Sequence, residues 1–283
     1  DIQKLFPDHY ANNDFGTIGV KTESEDPRLH IVEVTPYRSE SGYSDLRRPD
    51  EVTFGVSLEE DLARRDFTVN ALAYSLKDQN IVDLYGGIDD LHAKRLKTVG
   101  NPNERFNEDA LRMMRAVRLA TELEYVIDAD TMTAILEHHG LLKKIAIERV
   151  AAEFIKIIDS NQPMQGIIFL EKLGMLELFI PELRMGIGCE QGGIHDFDVF
   201  EHNLRTCQAA ADKGFSTHMR IAGLFHDVAK PHTRRTGGKN KKYSFFGHEV
   251  VGARVTKQIL ERLRLPSDIT EMVGKLVRWH LFF

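Results

Sequence analysis

The hydrophobic period of this chain changes once, near residue 107, and that change restricts the fold more than any motif does. Before it, short β-rich runs alternate with turn residues: GTIGV (16–20), HIVEVTPYR (30–38), ALAYSL (71–76) and IVDLYGG (81–87). The polar stretch from Ser39 to Glu51, rich in Ser, Arg, Asp and Pro, reads as a mobile loop between the second and third runs. After it, apolar residues recur at helical spacing. In NEDALRMMRAVRLATEL, Ala110, Met113, Met114, Val117 and Ala120 fall on one face, Arg112, Arg115 and Glu122 on another, and Asn107 is placed as the N-cap. The pattern continues through ERVAAEFIKIID and GIIFLEKLGMLELF, broken at Pro163 and Pro181. A Gly-rich segment, GIGCEQGGIHD (186–196), marks a further boundary before histidine-rich helices and a basic loop, TRRTGGKNKKYS (233–244). The spacing predicts an α+β chain: a small mixed sheet over 1–90, helices over 91–185, and a second helical region over 186–283.

Composition narrows the function classes. The formal charge of −6 gives no global basic field, so local patches must carry any nucleic-acid contact. Cys189 and Cys207 frame neither a disulfide scaffold nor a zinc finger, which places the chain in a reducing cytosol with no disulfide partner. No signal peptide and no run of ~18 apolar residues points to a membrane. The chain begins at Asp1, without a methionine, and stops inside the apolar run VRWHLFF, so cuts are expected at both ends.

Four groups of residues stand out. In EDALR, Asp109 and Arg112 are three apart on one helix face, which sets a carboxylate acceptor beside a guanidinium donor. That pair matches the Watson–Crick edges of cytosine and adenine, each of which offers an amino donor beside a ring-nitrogen acceptor; guanine and uracil do not. Taken alone, such a pair is more often a surface salt bridge worth ~0.2 to 0.5 kcal/mol. In LARRDFTVNALAYSL, Arg64 and Arg65 can grip phosphates, while Asp66 and Asn70 can bind a ribose hydroxyl. In IERVAAEF, Glu148, Arg149 and Glu153 read as an ion-paired face, with Arg149 and Glu153 bracing one turn at i, i+4. Among twelve histidines, His202 and the adjacent His226 and Asp227 suit a divalent cation. His248 and His280 are the candidates for a second shell or a second metal.

Together, RRDFTVNALAYSL, VDLYGGIDDL, ERFNEDALRMMRAVRLA and IERVAAEF, in this order, resemble the blocks of class II tRNA nucleotidyltransferases and the related bacterial poly(A) polymerases. The HNL, HDVAKP and FFGHEVVGA segments resemble the HD phosphohydrolase domain fused to many of them. The resemblance implies a polymerase-β-like head, an all-helical neck and a helical HD domain. It implies that Arg65, Asp66 and Asn70 bind the ribose and triphosphate, that Asp109 and Arg112 form the amino-acid template for CTP and then ATP, and that Arg115 lies near the phosphates or base. Glu148, Arg149 and Glu153 would brace the template helix, and Gly86 and Gly87 would form the turn where the head bends toward the neck. The family's Asp-x-Asp pair, which holds Mg2+, would lie upstream of Asp1, leaving Glu33 as the surviving candidate catalytic carboxylate. The HD metal would be held by His202, His226 and Asp227, with a further Asp expected beyond Phe283.

The expected function is therefore CCA addition to tRNA 3′ ends from CTP and ATP, by a fragment with little polymerase activity of its own. The alternatives are a poly(A) polymerase acting on RNA 3′ ends, a metal-dependent HD phosphohydrolase, or a non-catalytic tRNA-binding module. The basic loop, with Arg234, Arg235, Lys239, Lys241 and Lys242, is a candidate phosphate contact, though loop charges are more often simply solvated.

Overall fold

A computed structural model describes residues 2–12, 16–42, 49–192, 196–236 and 243–282. Lys239, Lys241 and Lys242 of the basic loop lie outside the described residues. The chain divides into two compact units, one drawn from Asp1–Gly42 and Pro49–Arg65, the other containing Asp66–Phe283. The division falls before residue 90, and it leaves both helical regions in the same unit.

In the first unit, β1 (His9–Asn12), β2 (Thr17–Lys21) and β3 (Ile31–Val34) form an antiparallel sheet in that order, with Val20 opposite Val32 and Gly19 opposite Glu33. Next, β4 (Arg38–Ser41) and β5 (Glu51–Phe54) pair as an antiparallel hairpin. The polar stretch read as loop thus begins and ends in strand, because Ser39 and Glu40 pair with Thr53 and Val52. Helix α1 (Leu58–Ala63) opens on a capping box in which Ser57 and Glu60 satisfy each other's backbone N–H groups. Its Asp61 is buried and accepts from Arg64, Arg65 and the backbone of Arg38.

In the second unit, β6 (Leu72–Ser75) and β7 (Asn80–Asp83) form another antiparallel hairpin. The α+β class stands. Across residues 1–90, however, the described strands make an antiparallel sheet and hairpins rather than one mixed sheet; a parallel pair comes later, between β8 (Arg95–Leu96) and β9 (Val126–Ile127). Gly86, at φ 74°, turns the chain into α2 (Gly87–His92), whose first N–H groups are capped by the Asp83 carboxylate at 2.8 Å from Gly87 and 3.0 Å from Ile88. At Gly87 a Cβ would lie 2.3 Å from the Thr68 carbonyl oxygen, so only glycine lets α2 seat on the 68–70 turn.

The helices then run α3 (Pro102–Glu108), α4 (Leu111–Leu123), α5 (Ala129–His138), α6 (Ile147–Asp159), α7 (Pro163–Lys172), α8 (Val199–Asp212), α9 (Thr217–Phe225), α10 (His248–Arg262) and α11 (Ser267–Trp279). Ala110, Met113, Met114, Val117 and Ala120 are fully or almost fully buried, as their spacing predicts, and a Met side chain buried in this way contributes roughly 1.5–3 kcal/mol. They face α6, whose Val150, Ala151, Phe154, Ile157 and Ile158 complete the same core. One continuous apolar cluster runs from Phe67 to Val277 and spans both helical regions. The end of α6 is tied to α9: Arg220 Nη1 donates to the carbonyls of Ile158 (3.1 Å) and Ser160 (2.8 Å), and Thr217 Oγ1 donates to Asp159 (2.6 Å). These contacts satisfy carbonyls that a helix end leaves open. No helix of the described residues is long and apolar enough to cross a membrane.

Candidate functional site

The predicted helix starting at Asn107 is two helices. Asn107 lies inside α3, and the break comes at Asp109, which is extended (φ −137°, ψ 104°) and accepts the N–H of Leu111 at 3.0 Å through Oδ1. A side-chain acceptor two residues before a free N–H competes with helix continuation, and that competition explains the break. The other carboxylate oxygen, Oδ2, accepts from Arg149 Nη2 at 3.0 Å.

Arg112 is not on an open polar face with Arg115 and Glu122, as its spacing predicts. It is only 8% exposed, and its guanidinium donates to the Arg105 carbonyl (3.1 Å) and to Glu108 (2.5 Å). Asp109 and Arg112 thus each have a holder from a different element, Arg149 from α6 and Glu108 from the last turn of α3. The brace also differs from its sequence reading. Arg149 and Glu153 do not brace one another within α6; they reach out to different partners. Glu153 accepts from Arg118 Nε of α4 at 2.6 Å and from Lys156 at 3.1 Å. Glu148 lies elsewhere, lining a cavity with Glu261, Arg264 and Glu271.

One turn along α4, Arg115 donates through Nε (2.8 Å) and Nη2 (2.5 Å) to Asp66 Oδ2, while Asp66 Oδ1 accepts from the backbone of Phe67 (2.9 Å) and from Asn70 (3.1 Å). Burial alone would raise the Asp66 carboxyl, but Arg115 and the hydrogen bonds outweigh it and hold the group below its usual range. Arg65, in the first unit, pairs with Asp61 at 3.1 Å. Glu33 is exposed on β3 and belongs to no group of three ligand-bearing residues among the described residues.

The histidines converge on Asp227. His202, on α8, and His226, closing α9, place their Nε2 atoms 3.1 Å apart and 3.4 and 3.2 Å from Asp227 Oδ2. His248, opening α10, and His280, following α11, lie 3.2 and 3.7 Å from Oδ1. Asp227 is 2% exposed. Burial would raise its carboxyl, yet His226, His248 and Lys230 hold it far below the usual carboxylate range. Lys230 is the partner that the sequence reading missed: its Nζ lies 2.6 Å from Asp227 Oδ2 and donates to Gln191 at 2.6 Å. The signal was present, since HDVAK puts a lysine three residues after the aspartate.

Comparisons with known proteins match three successive segments of the chain. A family model for the poly A polymerase head domain matches residues 1–97, one described as the probable RNA and SrmB-binding site of polymerase A matches 124–185, and the HD domain matches 199–283. A CCA-adding enzyme of Limosilactobacillus reuteri is 55% identical over 135 residues, 48% of this chain and 33% of that protein. An A-adding tRNA nucleotidyltransferase of Deinococcus radiodurans is 39% identical over 239 residues, 82% of this chain and 54% of that protein. The chain therefore spans between a third and about half of these relatives. Its fold is also that of the Bacillus stearothermophilus CCA-adding enzyme in complex with CTP, with a TM-score of 0.64 at 24% identity, covering 100% of this chain and 59% of the other.

Proposed function

The chain belongs to the tRNA nucleotidyltransferase and poly(A) polymerase family, with an HD domain after its helical region, and on that premise we propose that it selects the nucleotide in CCA addition to tRNA 3′ ends from CTP and ATP. One observation carries the reading: Asp109 stands at a helix break and Arg112 one turn on, each held by its own partner, Arg149 and Glu108. A held carboxylate accepts the exocyclic amino group of cytosine or adenine, and a held guanidinium donates to the neighbouring ring nitrogen. Asp66 and Asn70 then offer oxygen and amide groups to the ribose, while Arg115 offers charge to the phosphates. Glu148 and Glu153 belong to the bracing segment, in which Glu153 fixes α4 through Arg118. The segment 124–185 is the RNA-holding part, and a reducing cytoplasm suits the free Cys189 and Cys207 thiols.

Nucleotidyl transfer in this family uses Mg2+ to neutralise the triphosphate. Glu33 forms no group of three ligand-bearing residues among the described residues. In the HD region the donors do fit a divalent cation: His202, His226 and Asp227 present three ligand atoms within 4.8 Å of one another. Such a cation would supply Lewis acidity toward a phosphate ester.

The test is nucleotide binding by the chain, with all four ribonucleoside triphosphates compared in calorimetry. CTP and ATP should bind at least about tenfold more tightly than GTP and UTP, a margin of about 1.4 kcal/mol. Equal binding of all four overturns the template. Binding of ATP without CTP redirects the assignment to A addition.

A further inference from the structure

Resting on the reading of Asp109 and Arg112 as the base-reading pair, we infer that Arg105 is a positioning residue for that pair and sets how it ranks CTP against ATP. Arg105 stands in the last turn of α3. The helix is a fixed platform: Asn101 Oδ1 accepts the N–H of Asn103 at 3.0 Å at its start, Phe106 is fully buried, and Asn103 Oδ1 lies 3.0 Å from His138 Nε2 of α5.

The main chain of Arg105 joins the two halves of the pair. Its carbonyl is one of those that a helix end leaves open, and it accepts from the Asp109 N–H at 3.3 Å and from Arg112 Nη1 at 3.1 Å. Its side chain divides Glu108. The Arg105 guanidinium donates to Glu108 Oε1, and Arg112 Nη1 donates to Oε2 at 2.5 Å, so one carboxylate serves two guanidinium groups. All three side chains are mostly covered, which keeps water from readily replacing either arginine on Glu108.

A carboxylate and a guanidinium left to themselves tend to pair through two parallel N–H···O bonds. With Oε1 taken by Arg105, Glu108 grips Arg112 at one point. Both hydrogens of Arg112 Nη1 are then committed, one to Glu108 and one to the Arg105 carbonyl, and a two-point grip would draw in an N–H from another guanidinium nitrogen. The two bases ask different things of Arg112. Beside its amino group cytosine presents two acceptors, N3 and O2, whereas adenine presents one, N1, followed by a C–H. Withdrawing an N–H from Arg112 therefore removes a hydrogen bond that CTP can make and ATP cannot. By holding Oε1, Arg105 keeps Arg112 in the form that CTP requires.

The test is calorimetry with CTP, ATP, GTP and UTP on the unaltered chain and on variants of Arg105. Arg105→Met should weaken CTP about tenfold, the loss of one charge-assisted hydrogen bond, and ATP by no more than about threefold. Arg105→Lys keeps a cation for Oε1 and should stay close to the unaltered ratio. Arg105→Met combined with Glu108→Gln, which leaves a single accepting oxygen at that position, should recover the CTP-to-ATP ratio. If Arg105→Met does not fold, Arg105→Gln removes the charge with a smaller loss of packing and is read in the same way. CTP and ATP weakened together, or a ratio that the double variant does not recover, overturns the inference, while a preference of the unaltered chain for CTP and ATP keeps the template standing. An unaltered chain that binds all four nucleotides equally overturns both readings. One that binds ATP without CTP overturns this inference, since it has no CTP contact to position.

Discussion

Arg149 and Asp109 are forty residues apart in the chain, and their side chains meet at 3.0 Å. The contact fixes one half of the proposed base-reading pair from a helix elsewhere in the chain. Arg149→Met should therefore leave Asp109 free to turn, and discrimination between CTP and GTP in binding should fall roughly tenfold, about 1.4 kcal/mol. Arg149→Lys keeps the charge but loses the planar fork, and should recover part of that loss. Unchanged selectivity in Arg149→Met would mean that Asp109 needs no holder.

Gly87→Ala tests the seat of α2. The new Cβ would fall 2.3 Å from a backbone oxygen that cannot rotate away, so the turn must open. A loss of at least about 2 kcal/mol in urea unfolding is expected, within the range of overpacking penalties. At Gly86 an added Cβ would meet nothing within 4 Å, and only the φ of +74° resists alanine, so Gly86→Ala should cost less, about 1 kcal/mol.

The Asp66–Arg115 pair predicts a pH dependence. Asp66 is held below its ordinary range in the folded chain, so its contribution is fully present above about pH 4, the unfolded carboxylate value, and is lost as pH falls through the lower folded value. Arg115→Met should thus destabilise the chain by roughly 1–3 kcal/mol at pH 7, Arg115 being partly exposed. That difference should shrink as pH falls below about 4 toward the lower folded value, because the unfolded chains take up the Asp66 proton there before the folded wild-type chain does. Unfolding curves at pH 7 and pH 3 give the comparison; a difference that grows in acid would rule out this pair as its source.

Metal removal should be read in stability as well as in chemistry. Any cation that binds only the folded HD region adds stability by mass action, about 2.7 kcal/mol at a hundredfold excess over its dissociation constant. Adding Mn2+ to the stripped chain should raise its melting temperature. His226→Ala should abolish most of that rise, and an equal rise in the variant would place the cation elsewhere.

Helix faces were legible in the sequence because burial repeats every 3.6 residues, and Met113, Met114 and Val117 sit where that period puts them. Asn107 was misplaced because a helical period does not report a one-residue break; the Asp109 carboxylate captures the Leu111 N–H and starts the helix anew. Arg112 looked solvent-facing because its type is polar, whereas Glu108 and the Arg105 carbonyl satisfy its charge under cover. The histidines could be collected by counting, but their division between two oxygens of one aspartate depends on α8 to α11 coming together in space. The partners Asp109 of Arg149 and Arg118 of Glu153 were hidden for the same reason, since local spacing proposed a pair within α6 and tertiary packing supplied these partners from outside it.

Helix α6 is gripped at both ends, with its first turn holding Asp109 and its last carbonyls held by Arg220 of α9. The HD region is consequently no detachable appendix. Cutting the chain near residue 186 would strip the cap from the helix whose opposite end steadies Asp109, the carboxylate proposed to read the base. A loss of nucleotide preference in such a truncation would then measure a lost anchor rather than a lost catalytic group.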